Sequence, residues 1–73
     1  MKRVPKFNSG DKVDLEYNSI GDIHNVGIIQ SSFYDQGVLF YKIDWVEIND
    51  KSFTVEFFKD QYKFCYEEEL MAI

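Results

Sequence analysis

Apolar and polar residues alternate over several short segments of the chain, which is the period of a β-strand with one buried face. In the first segment, Val13, Leu15 and Tyr17 alternate with charged residues. A second segment covers residues 26–30 and can extend through residues 31–34. Gly27 inside it indicates a bend or bulge, where a small barrel must curve. These patterns predict the first two strands.

The clearest strand pattern covers residues 38–46, after a turn at Asp35-Gln36-Gly37. Lys42 and Asp44 are expected to face solvent, and the residues between them then lie on the opposite side of the sheet. The inward face would hold Tyr41, Ile43 and Trp45. This segment therefore predicts a third strand with a large aromatic contribution to the core.

The pattern continues less clearly after residue 46. Residues 47–52 predict a hairpin loop, and residues 53–58 predict a fourth strand. By alternation this strand would bury Phe53, Val55 and Phe57, and would leave Phe58 on the other face. A turn at residues 59–61 would precede residues 62–66, as either a fifth strand or an extended segment.

The C-terminal residues predict a short helical or 3₁₀ turn and a closing strand. Carboxylates are favourable in a first helical turn, which suits the three glutamates at 67–69. Residues 71–73 would return apolar side chains to the core. Because apolar residues nowhere recur with helical spacing over three turns, no substantial helix is expected. The fold class predicted is all-β, a small barrel of about five short antiparallel strands, since barrel closure removes exposed sheet edges.

Length and composition fit this small domain. The chain has 73 residues with seven Phe, five Tyr and one Trp, and aromatic side chains bury the most surface per residue. Residues 1–6 are interpreted as a basic N-terminal tail, and residues 7–73 as a single barrel domain. The expected core is Val13, Leu15, Tyr17, Ile29, Tyr41, Ile43, Phe53, Val55, Phe57, Leu70 and Ile73.

Four short motifs occur in an order that resembles the SH3-like small β-barrel proteins of bacteria and phages, including the KOW and Tudor-like groups. They are GDKV at 10–13, GII at 27–29, YKIDW at 41–45 and EELMAI at 68–73. The resemblance spans residues 7–73 and implies an SH3-like barrel. It departs from a minimal barrel between Ile48 and Tyr66, which has more residues than one hairpin requires. Such barrels bind RNA, methyl-lysine or peptides, or act as scaffolds, so the resemblance implies no single function.

The charge distribution limits the choice of partner. The formal net charge is −5, and three cations, Lys2, Arg3 and Lys6, precede the predicted barrel. After them, five lysines face thirteen acidic residues. Such an acidic body repels phosphate backbones at long range unless its cations cluster on one face. The acidity also serves simply to keep an aromatic-rich protein soluble.

The residues needed for catalysis are scarce. His24 is the only histidine and Cys65 the only cysteine, so no disulfide and no cysteine-based zinc site is expected. A Cys65–His24 dyad is formally conceivable, but an apolar setting raises a thiol pKa and favours a structural cysteine. We therefore expect no enzyme activity, no catalytic residues, no metal and no cofactor. The lone cysteine and the lack of a long apolar run favour a cytoplasmic protein without membrane contact.

More aromatic residues are present than the predicted core can hold. The candidate partner-binding residues are Tyr34, Phe40, Trp45, Phe58, Tyr62 and Tyr66. Exposed aromatic side chains anchor protein interfaces, enclose methylated ammonium groups or stack on single-stranded bases. Alternatively, they only cover the ends of the barrel or pair across strands.

Three classes of function stay open at this point. The first is an accessory module that binds a protein or peptide with a basic surface through an aromatic patch. The second is a nucleic-acid binder, or its inverse, an acidic mimic of DNA. The cations available to the binder would be Lys2, Arg3, Lys6 and either Lys59 or Lys63, beside Tyr62 and Tyr66. The third is a subunit of an enzyme. A homodimer is also plausible, because small β-domains expose strand edges.

Overall fold

The computed structural model describes residues 4–16 and 24–73. In this part of the chain, five antiparallel strands form one open sheet in the order β4-β3-β2-β1-β5. The strands are β1 (Lys12–Leu15), β2 (Val26–Asp35), β3 (Val38–Glu47), β4 (Phe64–Tyr66) and β5 (Leu70–Ala72). Helix α1 (Val55–Gln61) lies between β3 and β4, and a 3₁₀ turn (Glu67–Glu69) precedes β5. The predictions for Lys2, Arg3 and Tyr17 fall outside the described residues.

Strands β2 and β3 form a long hairpin, which confirms both predicted strands and the extension of β2. Asp35 pairs with Val38 at its end. The connecting residues Gln36 and Gly37 have φ angles of 52° and 80°, as in the two-residue turns that match the twist of a β-hairpin. The register of the ladder shifts between Val26 and Gly27 and again between Ile29 and Ser31. The irregularity predicted at Gly27 is therefore present.

The inner face of the sheet carries the hydrophobic core, and the predicted alternation of β3 is confirmed. The buried apolar residues are Phe7, Val13, Leu15, Ile29, Leu39, Tyr41, Ile43, Trp45, Phe58, Cys65 and Leu70. Lys42 and Asp44 are exposed between them. Aromatic burial of this density is what a domain of 73 residues needs.

The hydroxyl of Tyr41 connects the N-terminal segment to the sheet. It accepts hydrogen bonds from the backbone N–H groups of Lys6 at 2.8 Å and Phe7 at 3.2 Å. It donates to Glu67 Oε2 at 2.8 Å. Burial raises the pKa of Tyr41 above its ordinary value, so the hydroxyl keeps the proton that it donates.

The predicted fourth strand at residues 53–58 is wrong, because one short helix lies there instead. Residues 55–61 form helix α1, which begins where Thr54 Oγ1 accepts a hydrogen bond from the backbone N–H of Phe57 at 3.1 Å. Phe58 is fully buried, with its ring centroid 5.1 Å from that of Trp45. The predicted core residues Phe53 and Phe57 are instead exposed. Phe57 lies in α1, where the helical period directs its neighbour Phe58 to the core, and Phe53 precedes the N-cap.

The predicted C-terminal 3₁₀ turn and closing strand are confirmed, but of residues 71–73 only Met71 is half-buried, and the strand reaches the core through Leu70. The 3₁₀ turn is present, and β5 pairs with β1, placing Leu70 opposite Leu15. Ile73 follows the strand and is 42% exposed, so its assignment to the core is wrong. Strands β4 and β5 are the two edges of the open sheet, and closure into a barrel stays a prediction.

Asp14 is a second correction, because alternation placed it on the solvent face. It is fully buried, and its carboxylate accepts hydrogen bonds from the backbone N–H groups of Leu15 at 2.7 Å and Asn25 at 3.0 Å. Asn25 is also buried, and its Oδ1 accepts from the backbone of Asn49 and Asp50 at 2.7 and 3.1 Å. Through these hydrogen bonds, Asp14 and Asn25 connect β1 to the segments around residues 25 and 49–50.

Candidate functional site

The outer face of the sheet, opposite the core, carries a group of aromatic side chains. The cross-strand register places Phe33 of β2 opposite Phe40 of β3, and Phe40 opposite Tyr66 of β4. Phe64 precedes Tyr66 by two residues, so the two side chains lie on the same face of the sheet. Phe64 is paired with Lys42 of β3. We call Phe33, Phe40, Phe64 and Tyr66 the outer aromatic face.

The four rings form one connected series of contacts. The centroids of Phe33 and Phe40 are 5.6 Å apart with nearly parallel rings, and those of Phe40 and Tyr66 are 4.7 Å apart. Phe64 meets Phe33 edge to face at 5.5 Å. Aromatic pairs of this geometry stabilise each other beyond their buried area, so the rings form a preorganised surface on three strands.

This aromatic surface is accessible to a partner. Phe33 is 37% exposed, Phe64 50% and Tyr66 43%, whereas Phe40 is half-buried between its neighbours. Phe33, Phe40 and Phe64 line a shallow hollow of about 350 Å³ together with Asp35. A contiguous group of exposed aromatic side chains on a small domain is a mark of a binding surface.

A cleft rich in lysine adjoins the outer aromatic face. Its volume is about 390 Å³, and it is lined by Gln30, Lys42, Ile43, Asp44, Lys59 and Lys63. We call it the lysine cleft. It gathers three of the five lysines that follow the N-terminal tail. An acidic chain thus presents a locally cationic site.

Three elements hold the lysine cleft in place. Lys42 projects from β3, Lys59 lies in the last turn of α1, and Lys63 precedes β4. The backbone carbonyl of Lys63 accepts a hydrogen bond from Ile43 N–H at 2.9 Å, which fixes that segment against β3. Lys59 Nζ lies 4.0 Å from Asp44 Oδ1, and both side chains are about half exposed.

Phe64 joins the cleft to the aromatic face. The ammonium of Lys63 lies 5.6 Å from the centroid of its ring, within the range of a cation–π interaction. Lys42 is its cross-strand partner. Stacking surfaces and cationic groups therefore lie side by side on one face of the molecule.

Two of the six predicted partner-binding residues, Phe40 and Tyr66, belong to the outer aromatic face. Trp45, which alternation had also placed inward, and Phe58 are both fully buried, so neither belongs to this surface. Their rings pack against each other, because α1 covers the inner side of β3 at this point. The indole N–H of Trp45 also donates to the carbonyl of Tyr62 at 2.9 Å.

The two other predicted residues lie elsewhere. Tyr34 is half-buried on the inner face and packs against the core, and Tyr62 ends helix α1 with its ring 5.0 Å from that of Phe58. The sequence reasoning did not select Phe33 and Phe64. For Phe33 a signal was present, since a two-residue turn at Gln36-Gly37 places it opposite Phe40.

Cys65 and His24, the two other reactive side chains that the sequence singled out, lie apart from the outer aromatic face in their contacts. Burial, together with the charge of Glu69, raises the pKa of the Cys65 thiol to about 12, which disfavours the nucleophilic thiolate. Its Sγ donates to the carbonyl of Tyr62 at 3.4 Å. His24 Nδ1 lies 3.7 Å from the buried carboxylate of Asp14.

The part of the chain that the structure describes contains no group of three His, Cys, Asp or Glu side chains able to hold a metal ion. Within residues 4–16 and 24–73, no helix has the length and apolar character needed to cross a membrane. Neither protein-family models, nor curated proteins, nor solved structures give a match to this chain.

Proposed function

We propose that the protein is a non-enzymatic module that binds single-stranded nucleic acid through the outer aromatic face. The observation that carries this proposal is the contiguity of the outer aromatic face, with its three exposed rings, and the lysine cleft, joined at Phe64. Stacking on aromatic side chains beside cationic groups is the general means by which proteins hold single strands.

The outer aromatic face suits unpaired bases. Every base has a flat π surface, so stacking on Phe and Tyr tolerates different sequences. The rings of Phe33 and Phe40 are inclined by only 16°, which gives parallel surfaces across two strands. A paired duplex keeps its bases stacked on each other, and the module should therefore prefer single strands.

The neighbouring lysines favour nucleic acid over a protein partner. Lysine is depleted in protein interfaces, whereas cations beside aromatic groups suit a phosphate backbone. A protein or peptide remains the second candidate, because aromatic residues are also enriched at protein interfaces and Asp35 lines the hollow. Of these two partners, only a protein with a basic surface would gain from the acidic charge of the chain.

The acidic charge of the whole chain shapes the expected binding. A net charge of −5 repels a polyanion at long range, while the lysine cleft attracts it locally. We therefore expect modest affinity and slow association compared with basic nucleic-acid-binding proteins.

The fold that we propose for this module is an SH3-like barrel. The strand order β4-β3-β2-β1-β5, with a 3₁₀ turn before the last strand, supports this assignment. Helix α1 occupies the region between Ile48 and Tyr66 in which the sequence departs from a minimal barrel.

Fluorescence anisotropy with labelled oligonucleotides of about 12 nucleotides tests the function, since single-strand sites span ~4–16 nucleotides. Wild-type protein should bind the single strand at low salt more tightly than a duplex of the same length. Phe33→Ala and Phe64→Ala should each weaken binding roughly tenfold, as loss of one base stack of about 1–3 kcal/mol implies.

Val46→Ala is the matched control, because Val46 is an exposed apolar residue of β3 outside the outer aromatic face. It should bind like the wild type. Lack of binding to any single strand at low salt would rule out the proposed function. Equal losses in all three variants would show that the aromatic face is not the binding surface.

A further inference from the structure

We propose that the lysine cleft is a phosphate-binding subsite in which Asp44 competes with the bound phosphate for Lys59. The inference rests on the proposed function and assigns the backbone phosphates of the same ligand to a second set of residues. It concerns charged groups that base stacking does not use.

The arrangement of the cations supports a phosphate as the occupant. Three lysines, from β3, from α1 and from the segment before β4, line one cleft, and Gln30 adds an amide side chain. Among the described residues that line it, Asp44 is the only carboxylate. A phosphate offers several charged acceptor oxygens, and the lysine ammonium groups offer donors without fixed orientation.

The position of the cleft relative to the rings also fits a nucleotide chain. Lys42 and Phe64 are cross-strand partners, and Lys63 lies 5.6 Å from the ring centroid of Phe64. A base stacked at Phe64 would thus bring its flanking phosphates to the mouth of the cleft. Because the lysines border one side of the aromatic surface, the strand would run from the hollow towards α1.

Asp44 and Lys59 form a pair that is open to competition. Their closest atoms are 4.0 Å apart, and both side chains are about half exposed, which is the geometry of a weak surface ion pair. An incoming phosphate can replace the carboxylate as the partner of Lys59. Asp44 therefore lowers the affinity of the cleft for phosphate in the wild-type protein.

Binding of an oligothymidine of about 12 nucleotides, measured by anisotropy over a range of salt concentrations, tests the cation part. Each phosphate contact contributes about 0.7 to the slope of log affinity against log salt for a single strand. Lys42→Gln and Lys63→Gln should each reduce the slope by about that amount. Lys51→Gln, which removes an exposed lysine outside the cleft, should leave the slope at the wild-type value.

Asp44→Asn tests the competition directly. It should tighten binding about 1.5- to 5-fold at low salt, as release from a surface ion pair implies. Glu47→Gln makes the same change in net charge on the same strand, outside the cleft, and should have a smaller effect. Equal effects of the two variants would show that Asp44 acts only through the net charge, and would contradict its competition with phosphate for Lys59.

The outcomes separate this inference from the function on which it rests. Suppose that the wild type binds, that the phenylalanine variants weaken binding, and that the Lys42→Gln and Lys63→Gln variants show the same salt dependence as Lys51→Gln. The phosphate subsite is then wrong, and the aromatic function stands. If the wild type binds no oligonucleotide, both are wrong. Binding of an acidic peptide with the same variant profile, and of no oligonucleotide, would assign the surface to protein.

Discussion

Gly27 shows how one residue controls the packing beneath the sheet. It lies where the β2 register shifts, opposite Trp45 of β3. A Cβ atom at this position would come within 2.6 Å of Ile43 Cγ2 and 2.9 Å of two ring carbons of Trp45. Such distances are far below van der Waals contact, and the two side chains that it would meet are buried. The glycine therefore allows the largest core side chain to lie against the backbone.

Gly27→Ala should destabilise the protein by about 1–3 kcal/mol, because overpacking forces the neighbouring side chains from their positions. Urea unfolding followed by tryptophan fluorescence measures this free energy. Ser32→Ala, at an exposed position of the same strand, is the control and should change it little. Equal stability of the Gly27→Ala variant and the wild type would show that the space around Trp45 is larger than the structure indicates.

At the residue scale, the alternation of apolar and polar residues predicted on which face of the sheet most side chains lie, but it did not predict every exception. It placed Tyr41, Ile43 and Trp45 correctly, since a strand with one buried face leaves no other choice. It failed at Asp14, whose burial depends on the backbone N–H of Asn25, eleven residues further along the chain. Hydrogen bonds of that range leave no local signal in a sequence.

Helix α1 is the element that the local pattern obscured. Phe, Thr and Val favour strands, and they make up much of residues 53–58. The structure follows other signals, namely the capping hydroxyl of Thr54, an acidic residue in the first turn and Lys59 in the last. Packing of Phe58 on Trp45 then stabilises a helix of only seven residues, too short to form alone. Tertiary contact decided the structure of this segment.

Thr54→Ala should lower the free energy of unfolding by about 1 kcal/mol, because it leaves the backbone N–H of Phe57 without its side-chain acceptor. Thr54→Ser keeps a hydroxyl at the cap and should retain most of that stability. Thermal unfolding monitored by circular dichroism compares the three proteins. A Thr54→Ala protein as stable as the wild type would contradict the capping role.

The candidate site was only partly predictable at the element scale. Phe40 and Tyr66 were recognised as surplus aromatics, but Lys42 was interpreted simply as a solvent-facing strand residue. The lysine cleft could be predicted only from the position of α1, which brings Lys59 against β3. The sequence predicted a turn at residues 59–61, and the predicted nucleic-acid site grouped Lys59 or Lys63 with Tyr62 and Tyr66. In the structure Lys59 lies in the helix and Tyr62 ends it.

On the scale of the whole molecule, the two faces of the sheet carry different groups of side chains. Its inner face forms the core with α1, and its outer face presents aromatic rings beside cations. The net charge of −5 would by itself argue against a polyanionic partner, so the arrangement of the lysines decides the proposal. The proposed binding surface depends on strand register and helix placement together.

The most direct test of this account is a titration of isotope-labelled protein with a single-stranded oligonucleotide at low salt, followed by amide chemical shifts in two-dimensional NMR spectra. The account predicts the largest changes at residues 31–35, 38–42 and 63–66, with little change in β1 and β5. Unchanged spectra, or changes concentrated in β1 and β5, would contradict it.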